Sequence, residues 1–209
     1  MSTGTRLPLA EAFPIAQQIY GQLAPSCERL AIAGSIRRGK LDVGDVELVA
    51  IPRYIEEPSR LWGDTNRVSV LDRVLGQLEA PPSVFLERIL GGDRYMRLRH
   101  VRSGLQVDLF ITTRDQFGLT LLTRTGPADY SHWLVTEARR RGFHSCGGWL
   151  RRGLAPHSET TYRDCGHERI PTPEERDVFA ALAMPWIEPT ERIVSWEQPR
   201  PIFMQGRER

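Results

Sequence analysis

The chain has 209 residues, a hydrophobic fraction of 40%, a charged fraction of 26% and a formal net charge of +2. These values are ordinary for a globular protein, and the length suffices for one large domain or two small ones that share a core. No apolar run is long enough to cross a membrane, and residues 1–7 lack the basic and apolar parts of a secretion signal, so we expect a cytoplasmic protein that contacts no membrane.

The first half of the chain alternates between helical and strand patterns. Residues 9–24 carry apolar side chains at helical spacing and predict a helix. Two short apolar runs, 30–33 and 46–51, predict buried strands because glycine or proline ends each of them. Residues 53–65 predict a loop, and residues 68–78 predict a second helix from their apolar periodicity.

A hairpin and another helix follow in the second half. After a short element at 84–90, residues 95–101 alternate between apolar and arginine side chains, and residues 105–112 return as a strand after a glycine-containing turn. Residues 128–141 predict a helix that ends at a glycine. Residues 143–170 are rich in glycine, and we expect them to be irregular.

The last predicted helix covers residues 173–183, with Thr172 as its expected N-cap. From Trp186 onward the chain is rich in proline and charge and is expected on the surface. Strands, long connections and interspersed helices predict an α/β or α+β fold with a mixed sheet. A boundary at 115–125 is expected to separate this sheet from a smaller C-terminal part.

One segment combines glycine, a hydroxyl and arginine directly after a predicted strand. It is Gly34–Gly39, with the sequence Gly-Ser-Ile-Arg-Arg-Gly, and Gly44 follows shortly afterwards. Gly34 and Ser35 allow backbone N–H groups and a hydroxyl to approach an anion closely, and a helix that begins there would add its positive end. Arg38 is placed to clamp a phosphate, so the segment predicts a phosphate cradle.

Three carboxylates lie on predicted strands near this cradle. Asp45 and Glu47 are two residues apart, so both project from one face of their strand. Asp108 lies on another strand among apolar neighbours, where an acid is costly unless it is paired or binds a metal. Oxygen-only ligands favour Mg²⁺ or Mn²⁺. Together with the phosphate cradle, the trio predicts two-metal phosphoryl transfer.

These residues resemble the signature of the family X DNA polymerases. The match consists of Gly34–Gly39 followed by Val-Gly-Asp-Val-Glu-Leu at residues 43–48. The family's second motif is a strand aspartate followed 17 residues later by Thr-Gly, and Asp108 with Thr125 and Gly126 satisfies it.

The resemblance continues toward the C-terminus. Residues 130–143 keep the spacing of the family's nucleotide-facing helix, and residues 174–192 contain its glutamate-led helix, Leu-x-x-Pro and Glu-Pro-x-x-Arg. The similarity therefore covers about residues 10–192. The parts it implies are a nucleotidyltransferase palm with an N-terminal helix at 1–115, a thumb-like nucleotide-binding subdomain at 116–192 and a tail at 193–209.

The resemblance implies a monomeric DNA polymerase that adds nucleotides to a DNA 3′-OH end with release of pyrophosphate, in gap filling or repair. Its substrates would be DNA and a nucleoside triphosphate, and its cofactor Mg²⁺, with Mn²⁺ as an alternative. The implied metal ligands and catalytic residues are Asp45, Glu47 and Asp108. The implied nucleotide-binding residues are Gly34, Ser35, Arg38 and Gly44 at the phosphates, and Thr125 and Gly126 at the sugar, where the family's sharp turn can be cis.

Several positions depart from the family pattern. Glu47 stands where an aspartate is usual, which predicts slower activity or a preference for Mn²⁺. Thr123 and Arg124 replace two aromatic residues that help to exclude a ribose 2′-OH, so we expect ribonucleotides to be incorporated readily. Gln106 replaces an arginine that orients the carboxylates, and Ser131 replaces an asparagine that meets the base.

Duplex binding is expected to depend on arginine. About thirty residues precede Gly34, too few for the family's lyase domain or helix-hairpin-helix modules, so we expect a palm-plus-thumb enzyme like the smallest viral members. Lys40 is the only lysine among 28 basic residues. Two arginine clusters could follow a phosphate backbone, or could be solvated faces: Arg94, Arg97, Arg99 and Arg102, and Arg139, Arg140, Arg141, Arg151 and Arg152.

The cysteines raise a separate question. They are an odd number and widely spaced, which favours a reducing compartment over a disulfide framework. His144-x-Cys146 and Cys165-x-His167 form a symmetric pair that could bind zinc across a hairpin, although a one-residue spacing is unusual for structural zinc.

Two other functions remain open from the sequence alone. The enzyme could transfer a nucleotide to a non-DNA acceptor, such as an RNA end, a small molecule or a protein. The chain could also be a catalytically weakened nucleic-acid-binding relative, as Glu47 suggests. The presence of Asp45, Asp108, Ser35 and Arg38 disfavours this second alternative.

Overall fold

A five-stranded mixed sheet and a smaller three-stranded sheet organise the chain. The structure is a computed structural model, and it describes residues 5–58, 65–82, 84–154 and 165–193. The helices are α1 (Leu9–Leu23), α2 (Gly34–Arg37), α3 (Val70–Leu78), α4 (Phe117–Thr125), α5 (Ala128–Arg140) and α6 (Glu175–Ala181). The strands are β1 (Leu7–Pro8), β2 (Cys27–Ile32), β3 (Asp42–Val43), β4 (Asp45–Pro52), β5 (Tyr54–Pro58), β6 (Thr65–Ser69), β7 (Leu86–Leu90), β8 (Tyr95–His100), β9 (Gln106–Ile111), β10 (Phe143–Cys146), β11 (Trp149–Arg152) and β12 (Glu168–Ile170).

The larger sheet has the strand order β2-β4-β9-β8-β7. Within this sheet β4 and β9 run parallel, and the other neighbours run antiparallel. Strands β10, β11 and β12 form the antiparallel smaller sheet. The predicted α/β class with a mixed sheet is therefore confirmed. No helix in the described ranges is both long and apolar enough to span a membrane.

Side-chain alternation decides which face of the larger sheet is buried. In β8, Met96 and Leu98 are buried while Arg97 and Arg99 are on the opposite, more exposed face, as the sequence predicts. Residues of β4 and β9 that share the buried face pack with apolar side chains of α1 and α3 in one core. That face includes Val46, and the neighbouring Asp45 and Glu47 are only half-buried.

Helix α4 joins two cores. Phe117 and Leu121, one turn apart, pack on the other face of the larger sheet. Leu119 and Leu122 belong instead to a second core, which α5, α6 and the smaller sheet share. Sequence reasoning missed this helix, since we expected only a boundary at 115–125. The many threonines concealed it, because they are weak helix formers by propensity.

Two segments predicted as irregular contain strands. Strand β5 lies in the predicted loop at 53–65 and pairs with β6, which begins at the last residue of that loop. Both strands lack an apolar face because most of their residues are exposed. Strands β10 and β11 form a hairpin within 143–170, turned by Gly147 and Gly148, both with positive φ. Such a glycine pair between short strands was a signal in the sequence.

The N-cap of α6 also differs from expectation. Glu174, rather than Thr172, caps the helix, and the Asp177 carboxylate accepts a hydrogen bond from the Glu174 backbone at 2.7 Å. Thr172 is fully buried, and its backbone N–H donates to the Asp115 carbonyl at 2.7 Å. It therefore ties α6 to the segment before α4.

A buried carboxylate connects the two cores. Arg37 donates two hydrogen bonds to Glu175 at 2.8 and 2.6 Å, and Arg192 donates a third at 2.6 Å. The Glu175 side chain is 5% exposed and that of Arg192 is 0% exposed. Burial by itself raises the pKa of Glu175, but the two arginines outweigh it and hold the pKa below its usual range. Glu175 therefore links α2 at the cradle to the C-terminal part of the chain.

We expect Glu175→Ala to lower the free energy of unfolding by about 3–5 kcal/mol, because it leaves two buried or half-buried guanidinium groups without their shared partner. Glu87→Ala is the matched control, since Glu87 pairs with Arg99 at half-exposed positions and should cost about 0–1 kcal/mol. Urea denaturation of both variants provides the measurement, and equal losses would contradict a structural role for Glu175.

Candidate active site

The three predicted carboxylates lie close to one another because β4 and β9 pair in parallel. In this register Glu47 is opposite Asp108, and Asp45 is opposite Gln106. Paired residues of neighbouring strands project to the same face of a sheet, and Asp45 and Glu47 share a face by their spacing. The strand ends thus bring all three acids to the same part of the sheet.

An open cleft of about 700 Å³ lies at this end of the sheet. Asp45 and Glu47 line it, together with residues of the cradle and of the neighbouring strands. Asp45 and Glu47 therefore meet solvent in this cleft, whereas Asp108 is buried and only 7% exposed. Besides the two acids, the polar and charged lining includes Ser35, Arg38, Arg97 and Gln106.

Mutual repulsion and burial perturb the carboxylates. Burial, reinforced by the charges of Asp45 and Asp108, raises the pKa of Glu47 to about 7, although Arg124 and Arg38 oppose the change. Burial and the charge of Asp108 also raise the pKa of Asp45. The acids therefore lie in a region with too little positive charge. A hard divalent cation would relieve the repulsion, and the all-oxygen donor set fits Mg²⁺ or Mn²⁺.

Asp108 is engaged by three neighbours. It accepts hydrogen bonds from the Tyr95 hydroxyl at 2.8 Å, from Arg97 Nε at 3.0 Å and from Gln106 Nε2 at 3.1 Å. Gln106, which departs from the family pattern, thus still contacts the carboxylate. Arg97 supplies a positive charge, and its side chain is 42% exposed and has room to turn away.

Sequence reasoning placed Arg97 only in an exposed arginine cluster. The pairing of β8 with β9 sets Arg97 opposite Asp108, and this cross-strand register has no local signal in the sequence. Among the described acids, Asp45, Glu47 and Asp108 do not form a group whose ligand atoms all lie within 4.8 Å of one another. In this arrangement Arg97 holds Asp108 through the hydrogen bond from Nε at 3.0 Å.

Gly34 adopts a left-handed conformation against Glu47. Its φ is +63°, and a Cβ built on it would lie 2.0 Å from Glu47 Oε2. The next residue, Ser35, has a buried Oγ with no hydrogen-bond partner among the described residues. Helix α2 has only four residues, so the expected dipole of a longer helix is not available here. An unsatisfied hydroxyl in an open cleft fits an absent polar ligand such as a phosphate oxygen.

The two arginines of the cradle contact the end of α4. Arg38 lines the cleft and donates to the Thr125 carbonyl, and burial lowers its pKa despite the nearby charges of Glu47 and Asp45. Arg37 donates to Thr125 Oγ1 at 2.7 Å and contributes to the Glu175 network. The cradle is therefore connected directly to the Thr-Gly motif.

The Thr-Gly motif ends α4. Thr125 is fully buried, and a Cβ at Gly126 would lie 2.4 Å from Tyr130 Cδ1. Glycine is required here because the Tyr130 ring approaches the backbone so closely. Both residues lie within the described part of the chain, and the peptide bond between them is not cis. The cis alternative was therefore wrong for this structure.

Arg6 is a residue of the cleft that sequence reasoning missed. The short β1–β3 pairing brings Arg6 to Asp42, which accepts a hydrogen bond from Arg6 Nε at 2.7 Å. Arg6 Nη1 lies 2.8 Å from the position of a Cβ on Gly44. Its charge opposes the rise in the pKa of Asp45. Two-residue strands carry no periodic pattern, so this contact has no signal in the sequence.

Much of the predicted basic surface is paired inside the molecule. Arg97 contacts Asp108, Arg99 contacts Glu87, and Arg151 is only 2% exposed. Arg140 pairs with Glu137, and Arg152 pairs with Glu168. The exposed members of the two clusters therefore form a weaker basic surface than their number in the sequence indicates.

Comparisons with known proteins agree with this geometry. The family model of the DNA polymerase beta thumb matches residues 120–193. DNA polymerase lambda of Rattus norvegicus is 27% identical over 206 residues, which cover 90% of this chain and 33% of that polymerase. The chain thus spans about a third of the length of this curated relative. The two matches support a family X-like polymerase chain, and they confirm the resemblance that the motifs predicted.

Gly34 provides a direct test of the cleft. Gly34→Ala should weaken Mn²⁺ binding by about tenfold or more, because the new methyl group displaces the Glu47 carboxylate. Gly39→Ala is the matched control, since Gly39 has a similar φ of +71° but nothing within 4 Å of its Cβ position. Electron paramagnetic resonance of Mn²⁺ measures both affinities. Equal affinities in the two variants would show that the clash with Glu47 is irrelevant to the ion.

Proposed function

We propose that the chain is a DNA polymerase of the family X type, which adds nucleotides to a DNA 3′-OH end by two-metal nucleotidyl transfer and releases pyrophosphate. The observation that carries the proposal is the β4–β9 register, because it sets Glu47 beside Asp108 on the face that also bears Asp45. A cleft with an unsatisfied Ser35 hydroxyl adjoins these acids.

Each carboxylate would have a role that depends on its position. Asp45, Glu47 and Asp108 would hold Mg²⁺, or Mn²⁺ as the alternative. Bound divalent cations lower the pKa of an attacking hydroxyl and offset charge on the triphosphate and the leaving pyrophosphate. Asp108 would lie nearest the 3′-OH, and Arg97 neutralises it in the absence of other cations. The pKa of Glu47, at about 7, favours its use as a ligand only when a cation is close.

The cradle would hold the triphosphate. Ser35 Oγ can donate to a phosphate oxygen, while Glu47 and Arg6 occupy the places that a Cβ would take on Gly34 and Gly44. Arg38 would exchange the Thr125 carbonyl for the β- and γ-phosphates, which are stronger charged acceptors. Thr125 and Gly126 would then lie beside the sugar. This coupling between the phosphate site and the sugar site would position the α-phosphorus for in-line attack.

The proposal extends to the partners of the enzyme. The similarity to a DNA polymerase supports DNA as a substrate. A nucleoside triphosphate as the second substrate, and gap filling or repair as the process, are part of our proposal. We place the palm at residues 1–115, the thumb-like subdomain at 116–192 and a tail at 193–209. A monomer in the cytoplasm is the working state that we propose.

Primer extension tests the proposed activity. The protein should extend a DNA primer with Mg²⁺ or Mn²⁺ on single-stranded, templated or gapped DNA. Asp108→Asn, which keeps the size of the side chain, should reduce extension by about 100-fold or more, since a ligand charge is lost where the transition state needs it. Asp93→Asn at an exposed turn is the control and should leave extension unchanged.

The formats of the assay separate the alternatives. If the wild-type protein extends the DNA primer and Asp108→Asn does not, both the proposed active site and DNA as the acceptor are supported. Transfer to RNA ends without transfer to DNA would support the same chemistry on another acceptor. Failure in every format with both metals, from a folded protein, would overturn the polymerase proposal, and full activity of Asp108→Asn would overturn the site.

Discrimination against ribonucleotides is expected to be weak. The Thr123 hydroxyl donates to the Leu119 carbonyl of its own helix at 2.9 Å. The Arg124 guanidinium carbon lies 4.0 Å from the centre of the Phe110 ring. Neither side chain therefore places an aromatic ring beside the Thr-Gly motif, where the family uses one against the 2′-OH.

We expect the ratio of kcat/KM for dNTP to that for the matching rNTP to stay below about 100, because a site without a steric barrier rejects an added hydroxyl only weakly. Single-nucleotide incorporation with both substrates gives the ratio. Thr123→Tyr should raise it, whereas a wild-type preference of several thousandfold for dNTP would refute the expectation.

A further inference from the structure

A second cluster of ligand-type side chains lies away from the carboxylates, at the smaller sheet. His144 and Cys146 lie on the same face of β10, and Cys165 and His167 lie just before β12. The ligand atoms of His144, Cys165 and His167 all lie within 4.8 Å of one another. The second pair of residues thus lies close to β10.

The tautomer of His144 suits a metal ligand. The ring is buried, with the residue 2% exposed, and Nδ1 lies 2.9 Å from the Gly153 carbonyl oxygen. A carbonyl can only accept, so Nδ1 carries the proton and Nε2 keeps a lone pair. Nε2 faces Cys165 Sγ at 3.2 Å. In metal-binding histidines, the ring nitrogen that does not bind the metal commonly donates to a backbone carbonyl, as Nδ1 does here.

The spacing between these two atoms fits a tetrahedral zinc site. With Zn–N near 2.0 Å and Zn–S near 2.3 Å, a tetrahedral angle separates the nitrogen and sulfur by about 3.5 Å. The observed 3.2 Å needs only a small expansion. The thiol proton of Cys165 now lies between the two atoms, and a zinc ion would take its place as the proton leaves for water.

Cys146 completes the donor set. Its thiol is buried and lies in hydrogen-bonding contact with Cys165. Burial, and to a smaller extent this contact, raises the pKa of Cys146, whereas the charge of Arg151 opposes the rise. Arg151 is itself 2% exposed and donates to the His167 carbonyl at 2.7 Å. Arg151 thus places a buried cation beside Cys146.

His167 supplies an independent indication of a missing ligand. Its Nδ1 is buried and has no hydrogen-bond partner among the described residues. The ring meets that of His144 edge to face, with centroids 5.2 Å apart. It packs over Gly153, where a Cβ would lie 3.1 Å from the ring. Gly153 thus leaves room for one histidine and orients the other through its carbonyl.

We propose that His144, Cys146, Cys165 and His167 bind one structural zinc ion. Two thiolates and two neutral imidazoles balance the charge of Zn²⁺, and binding releases the two thiol protons to solvent. Strands β10 and β12 lie on opposite sides of β11. The ion would hold the segment that leads into β12 against β10. It would therefore stabilise the small core of the C-terminal part, which is too small to be very stable without support.

Metal content and spectroscopy test the site on the full chain. Protein prepared with zinc under reducing conditions should contain about one zinc per chain by mass spectrometry of the metal. Replacement by Co²⁺ should give the visible bands of a tetrahedral ion and the charge-transfer absorption of bound thiolates. Cys165→Ser and His144→Gln should lose the metal, whereas Cys27→Ala and His132→Gln, at a cysteine and a histidine outside the cluster, should retain it.

A second measurement avoids dependence on variants that fail to fold. In the wild-type protein, titration with a mercurial thiol reagent should release zinc to a coloured indicator, and chelation should lower the midpoint of thermal unfolding by about 5–10 °C. Zinc below about a tenth of an equivalent, or a Cys146–Cys165 disulfide that persists in reductant in place of the metal, would overturn the proposal. Primer extension need not be measured, so failure here is distinguishable from failure of the polymerase proposal.

Discussion

The parallel pairing of β4 with β9 is the constraint on which the candidate active site depends. Parallel neighbours cannot be joined by a tight turn, so the chain builds β5 to β8 and α3 before it returns beside β4. That register sets Glu47 opposite Asp108. A slip of one residue would turn Asp108 toward the apolar core and away from Glu47. The burial of Val46 and its neighbours holds the register against such a slip.

A second constraint keeps the cleft attached to the C-terminal part. Helix α4 packs on both cores, and Arg37 reaches from the cradle to Glu175, where Arg192 also binds. The Glu-Pro-x-x-Arg pattern thereby gains a physical explanation, because its arginine is fully buried against that carboxylate. Arg38 and Arg37 both contact Thr125, so the Gly34–Gly39 segment is attached directly to the Thr-Gly motif.

Sequence patterns predicted the elements that have one clear apolar face or an unbroken apolar run. Helices α1, α3 and α5 and strands β4, β8 and β9 lie close to their predicted positions for this reason. The exposed β5–β6 pair has no such face, and α4 is buried on several sides and rich in threonine. Neither therefore produces the periodicity on which prediction from sequence depends.

The sequence by itself determined that Asp45 and Glu47 share a strand face, and it predicted an anion site at the Gly-Ser pair. It also determined which residues could bind zinc. Only the tertiary structure decided that Arg97 neutralises Asp108 and that His144 meets Cys165. These contacts join strands or segments far apart in the chain, and their register is set by packing of the whole sheet, which no local pattern records.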